Sequence, residues 1–157
     1  MGMEPKEVAA AFWQALYSRD WDRIGSFFDE DSIYYDVPTT PAAAARGPKG
    51  IVARLQYGLG ALASYRHAPG RRTVLADGGV VMTEHTELWT FTTGEEVTLP
   101  FLSVQHVRGD VIGLWRDYWD LGALKTAPPG WQAELAAGDL SWVYDATADM
   151  AAFDAGS

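Results

Sequence analysis

The sequence predicts an α+β fold in which three helices near the N-terminus pack on one face of a curved, mixed or mostly antiparallel sheet. Three observations lead there. Apolar residues recur at helical spacing in the first part of the chain, the period changes to two from residue 71 onward, and the turn sequences ADGG, TTGE and RGD cut that second part into four β-rich runs. Helices on one face of a curved sheet enclose a cone-shaped pocket.

The elements follow in order. Residues 5–18 place Val8, Phe12, Ala15 and Leu16 on one side, with Pro5 and Glu7 suited to a first turn, which predicts an amphipathic helix. Asp20 then caps a short helix to Phe28, whose buried side is Trp21, Ile24, Phe27 and Phe28. SIYYDVP reads as a brief strand stopped by Pro38, and TTPAAAARGPKG as a loop. Pro48 to about Ala63 supplies the third helix, and the four β-rich runs after residue 71 form an antiparallel meander. The domain is read as 1–125. Residues 126–157 form a tail whose Trp131, Trp142 and Tyr144 favour packing, as a lid on the pocket or as a contact with a second subunit.

Composition narrows the partners. A chain of 157 residues with 48% hydrophobic and 21% charged residues suits one globular domain. The absence of cysteine excludes disulfides, thiolate metal sites and a cysteine nucleophile. With 21 acids against 12 bases, net charge −9, and no basic run denser than RHAPGRR (Arg66 to Arg72), no nucleic acid or anionic membrane partner is expected. No apolar stretch approaches the roughly 20 residues of a membrane span, and MGMEPKEV is not a signal sequence. The expectation is a cytoplasmic, soluble protein acting on a small apolar organic molecule.

Candidate chemistry lies on three predicted strands. In GLWRDYWDL, Trp115, Asp117 and Trp119 share a face, because side chains alternate across the pleat. Asp117 is therefore half buried or lines a cavity, and burial without a partner is costly. From Val80 to Thr92, His85 and Glu87 point the same way, about 7 Å apart at their Cα atoms. Tyr34 and Asp36 likewise share a face. If these strands are neighbours, Tyr34, Asp36, His85, Glu87 and Asp117 converge on a hollow walled by Trp89, Leu99, Phe101 and Trp119. Three carboxylates and an imidazole in such a space cannot ionise independently, which yields one proton donor and one acceptor for general acid–base chemistry. Taken singly, each group also reads as an ordinary cross-strand or solvated residue. His67 reads as solvated loop, and His106 as lying on the face opposite Ser103 and Gln105. No HExxH, GxSxG, P-loop or dinucleotide glycine pattern occurs, so neither metal nor cofactor is expected.

AFWQALYSRDWDRIGSFFDEDSIYYDVP resembles the opening of NTF2-like, or SnoaL-like, α+β cone proteins, and GLWRDYWDL is similar to the last-strand motif of the limonene-1,2-epoxide hydrolase group. The similarity covers about residues 5–125. It implies that Asp117 is the base activating a water held with the help of Tyr34, and that Glu87 stands where an acid protonates the epoxide oxygen. It also implies that Asp36 replaces an asparagine, and that His85 replaces an arginine bridging the two acids. A histidine bridges only when protonated, which would make the arrangement pH-dependent. Asp36 also falls where ketosteroid-isomerase-like members carry a proton-moving aspartate, a strand histidine resembles scytalone-dehydratase-like enzymes, and SnoaL-type polyketide cyclases use an acid near the Asp117 position. Isomerase, dehydratase, cyclase and non-catalytic ligand-binding readings therefore stand beside epoxide hydrolysis. The resemblance further implies a homodimer through the outer sheet face, where Ile112, Leu114 and Tyr118 form a row.

Overall fold

The first helix, α1 (Pro5–Ser18), begins where Pro5 fixes the backbone and Glu7 reaches back to the backbone N–H of Glu4 at 3.0 Å. Its buried face is Val8, Ala9, Phe12, Trp13, Ala15 and Leu16. The computed structural model of the chain describes residues 2–70 and 72–156, so Arg71 of the basic run lies outside the described residues. Helix α2 (Trp21–Gly25) is capped by the Asp20 side chain, which accepts from the Arg23 N–H. It is shorter than its apolar pattern predicts. Phe27 and Phe28 are nevertheless buried, in the turn that follows.

Helix α3 (Gly47–Leu59) stops four residues before the expected end at Ala63. Gly58 and Gly60 weaken its last turn, and Leu62–His67 instead forms a strand, β3. LASYRH has little intrinsic strand preference. Pairing with the second half of a long neighbouring strand decides its state. The segment read as a loop also contains a two-residue strand, β2 (Ala45–Arg46), antiparallel to β1 (Ile33–Asp36). The meander is as expected: β4 (Thr73–Asp77), β5 (Val80–Phe91), β6 (Glu96–Arg108) and β7 (Val111–Trp119), joined at the three predicted turns.

The seven strands form one open, mixed sheet in the order β2-β1-β7-β6-β5-β3, with β4 paired to the first half of β5. The pairing of β1 with β7 is parallel and sets Tyr34 beside Trp115 and Asp36 beside Asp117. The concave face packs on α1, α2 and α3 in the main core. A 3₁₀ turn (Leu121–Thr126) and helix α4 (Trp131–Ala136) close over the open end of that face.

Helix α5 (Thr147–Ala155) covers part of the other face, where Ala146 and Met150 pack with Ile33, Tyr35, Ala44 and Leu114. This corrects the expected outer row. Ile112 and Leu114 are buried at 0% and 5% exposure inside the chain, and only Tyr118, at 41%, is open. No helix among the described residues is long and apolar enough to cross a membrane.

Candidate active site

Strand register builds the site. On the concave face Asp36 stands opposite Asp117, Asp117 opposite Ser103, and Phe101 opposite both Trp119 and His85. A cavity of about 570 Å³ opens above these residues. Eight of the nine residues singled out in the sequence line it: Tyr34, Asp36, Glu87 and Asp117, with Trp89, Leu99, Phe101 and Trp119. The tail contributes Trp131, Leu135 and Trp142 to the same wall. His85 does not reach this cavity. It lines a second one, of about 470 Å³, with Ala68, Pro69, Glu84 and Phe101 among its neighbours.

Asp36 is fully engaged. Its carboxylate accepts from the Tyr34 hydroxyl at 3.1 Å to each oxygen, from Trp119 Nε1 at 2.9 Å, and from Arg54 Nη2 in an ion pair at 2.6 Å. Arg54 also lies over the rings of Tyr34 and Trp142. The guanidinium in this cavity therefore comes from a helix and not from a strand. Tyr34 in turn stacks on Trp115, with ring centres 3.8 Å apart.

Glu87 is 4% exposed and accepts three hydrogen bonds. Tyr17 and Tyr65 donate to Oε1 at 2.9 and 2.5 Å, and Trp89 Nε1 donates to Oε2 at 2.8 Å. Burial pushes its carboxyl up from 4.5 to about 7, against the pull of these three donors.

Asp117, 7% exposed, accepts from the Ser103 hydroxyl and from Trp115 Nε1, both on Oδ1. Its Oδ2 has no hydrogen-bond partner among the described residues. Burial, then the charge of Asp36, hold its carboxyl well above the usual range, and Glu87 adds to the effect. Both carboxyls are thus readier than ordinary acids to hold a proton near neutral pH.

His85 departs from the expected bridge. Its Nδ1 lies 2.5 Å from His67 Nε2 and its Nε2 lies 3.5 Å from Ser103 Oγ, with no hydrogen bond to Glu87 or Asp117. Its ring sits against Phe101 and Trp13, and burial, then His67, lower its pKa to about 2. It is a neutral imidazole. His67 is not a solvated loop residue either: it ends β3, packs on Tyr17 with ring centres 4.0 Å apart, and has its pKa lowered by burial to about 4. His106 lies on the outer face, as expected, 3.2 Å from Arg116 Nη2 and against Phe153. Among the described residues, no cluster of three or more His, Asp or Glu side chains is arranged to hold a metal ion.

Sequence reasoning missed Arg54, Tyr17, Tyr65, Ser103 and the donor role of Trp115. Arg54 did leave a signal, since it stands three residues after Ile51 on the stripe that α3 buries. Ser103 shares the inward face of β6 with Phe101 and Gln105. Tyr65 and His67 gave none, because their strand was read as the end of a helix and a loop.

The arrangement can give a proton from one carboxyl and accept one at another, inside an apolar cavity sized for a small organic molecule. The family model of the SnoaL-like domain matches residues 9–115. Among solved structures, the chain is similar to an LEH-like epoxide hydrolase from M. tuberculosis, at 25% identity and TM-score 0.66, over 87% of this chain and 98% of that one. It shares its fold with a candidate SnoaL-like polyketide cyclase from Shewanella putrefaciens CN-32, at 15% identity and TM-score 0.69, over 87% of this chain and 99% of that one. The same holds for a hypothetical protein with a ketosteroid isomerase-like fold from Catenulispora acidiphila DSM 44928, in complex with trimethylamine, at 18% identity and TM-score 0.67, over 78% and 94%.

Proposed function

We propose, from the premise that this chain belongs to the SnoaL-like family, that it adds water to the epoxide of a small apolar molecule, as a limonene-epoxide-hydrolase-type enzyme. The observation that carries this reading is the pair of raised carboxyl groups, Asp117 and Glu87, lining one apolar cavity. Likeness to the LEH-like hydrolase along nearly its whole length supports it.

The productive form has Glu87 protonated and Asp117 as carboxylate. Tyr34 spends its own proton on Asp36, so its oxygen is free to accept one hydrogen of a water. The open Oδ2 of Asp117 takes the other as the water oxygen attacks an epoxide carbon. Glu87 gives its proton to the opening oxygen, with Trp89 Nε1 still donating to Oε2. Arg54 and Trp119 hold Asp36, and Asp36 holds Tyr34, so these groups orient the water without changing protonation. Trp89, Leu99, Phe101 and Trp119 exclude bulk solvent and receive the apolar part of the substrate. The chemistry calls on side chains alone.

Asp36 has hydrogen-bond donors on both oxygens, which disfavours a ketosteroid-isomerase-like base at that position. A homodimer across the outer sheet face belongs to the same proposal; Leu75, Met82 and Tyr118 are exposed there. The test is conversion of terpene and styrene epoxides to diols by the purified protein. The reading expects diol from wild type and none from Asp117→Asn. Full activity in that variant, or solvent deuterium appearing at a substrate carbon with no diol, would overturn it.

A further inference from the structure

We propose that Ser103, His85 and His67 form a proton relay that carries the proton of Asp117 out of the substrate cavity, along the inner face of the sheet from β7 to the end of β3, after each turnover. The inference rests on the reading of Asp117 as base. Four groups stand in line. Asp117 Oδ1 accepts from Ser103, Ser103 Oγ lies 3.5 Å from His85 Nε2, and His85 Nδ1 lies 2.5 Å from His67 Nε2. The line leaves the first cavity at Asp117, touches the second at His85, and ends at His67, which is half-buried.

The chain is consistent in either direction. With Asp117 ionised, His67 donates to His85, His85 to Ser103 and Ser103 to Asp117. With Asp117 protonated and its carboxyl turned so that the protonated oxygen faces Ser103, every hydrogen bond reverses: Asp117 donates to Ser103, Ser103 to His85 Nε2, and His85 Nδ1–H to His67 Nε2. Passing from the second state to the first moves one proton at each link and releases the Nδ1 proton of His67 to water, while both histidines stay neutral. One proton leaves Asp117 and one enters solvent, so the transfer balances.

The surroundings favour this arrangement. Arg72 faces both imidazoles, Glu84 shares the second cavity with His85, and Tyr17 packs on His67; Asp36 and Glu87 face Asp117 from the substrate side. Burial and Arg72 disfavour an imidazolium on either ring, so a proton is not trapped on the way. Burial favours a proton on Asp117 once it has taken one from water, so a path to solvent restores its carboxylate, while Glu87 regains its proton from water entering the emptied substrate cavity.

The test combines steady-state kinetics with a titration that needs no substrate. His67→Ala should lower kcat for diol formation on the order of ten- to a hundred-fold with KM unchanged, and added imidazole should restore it by taking the vacated place. Ser103→Ala should lose kcat similarly, without rescue, because its gap lies inside the line. Unchanged kcat in His67→Ala, or a loss that imidazole does not restore, overturns the relay. In wild type, the ¹⁵N signals of His85 and His67 should exchange Nδ1–H for Nε2–H tautomers at the pH where the Asp117 carboxyl titrates. Tautomers that stay fixed through that pH also overturn the relay. This second readout separates the two ideas, since absence of diol from any epoxide would remove the hydrolase reading while the tautomer exchange still decides the relay.

Discussion

Glu87 should make the stability of the protein respond to pH in the opposite sense from an ion-paired carboxylate, and its replacement by glutamine should remove that response. The Glu87 carboxyl titrates at about 7 in the folded chain against an ordinary 4.5. An acid whose folded value lies above its unfolded one favours the folded state while it is protonated, so this stability is present in acid and lost as pH rises from about 4.5 to about 7. At about 1.4 kcal/mol per pH unit, the interval from 4.5 to 7 corresponds to about 3 kcal/mol. Glutamine does not titrate. Its oxygen still accepts from Tyr17 and Tyr65, but its amide N–H meets the Trp89 N–H, a pH-independent cost of about 1–3 kcal/mol. The variant should therefore melt below wild type at about pH 4.5 and gain about 3 kcal/mol on it by about pH 8, some 6–12 °C in Tm for a domain of this size. Thermal unfolding of both proteins across that range measures the swing. A Tm difference that stays constant with pH would show that Glu87 titrates as an ordinary surface acid and would refute the reasoning.

Three further outcomes follow from the same contacts. Arg54→Met leaves Asp36 buried with only Tyr34 and Trp119, and should cost about 3 kcal/mol, the lower end for a broken buried pair because 19% of the Arg54 side chain remains accessible. Adding Asp36→Asn to that variant should recover part of the loss in chemical denaturation. Asp117→Asn should reduce diol formation by on the order of a thousand-fold or more while the protein still melts cooperatively, as circular dichroism would show. Trp131→Ala removes an edge contact with Phe91 at 5.1 Å and Trp89 at 6.2 Å, so it should lower stability by about 3 kcal/mol and raise KM for the epoxide more than it lowers kcat.

Much of this site could be read in the sequence because strands carry their facing in their spacing. Alternation alone put Glu87 and Trp89, and Trp115, Asp117 and Trp119, on the inward side of their strands, and the structure has them lining one cavity with Tyr34 and Asp36. Alternation says which way a side chain points but not what stands beside it. His85 was assigned the inward face correctly, yet its partner is His67, on a strand whose state is set by pairing with β5 rather than by its own residues. The parallel contact of β1 with β7 joins segments far apart in the chain, and local pattern contains no trace of it. Arg54 was legible in principle, as a charge on the buried stripe of α3, whereas the expected outer row is not exposed because residues 144–150 of the tail pack over Leu114 and Ile112 joins the main core beyond the register shift in β6.

The central claim is that Asp117 acts as a base on water, with Glu87 as the acid, and forms no bond to the substrate. A single turnover with enzyme in excess, run in ¹⁸O-enriched water with an epoxide that the protein opens, tests it most directly. The account predicts one ¹⁸O in the first diol molecule formed and none in the protein. Unlabelled diol from that first turnover, with the label appearing later in the Asp117 carboxyl, would contradict it.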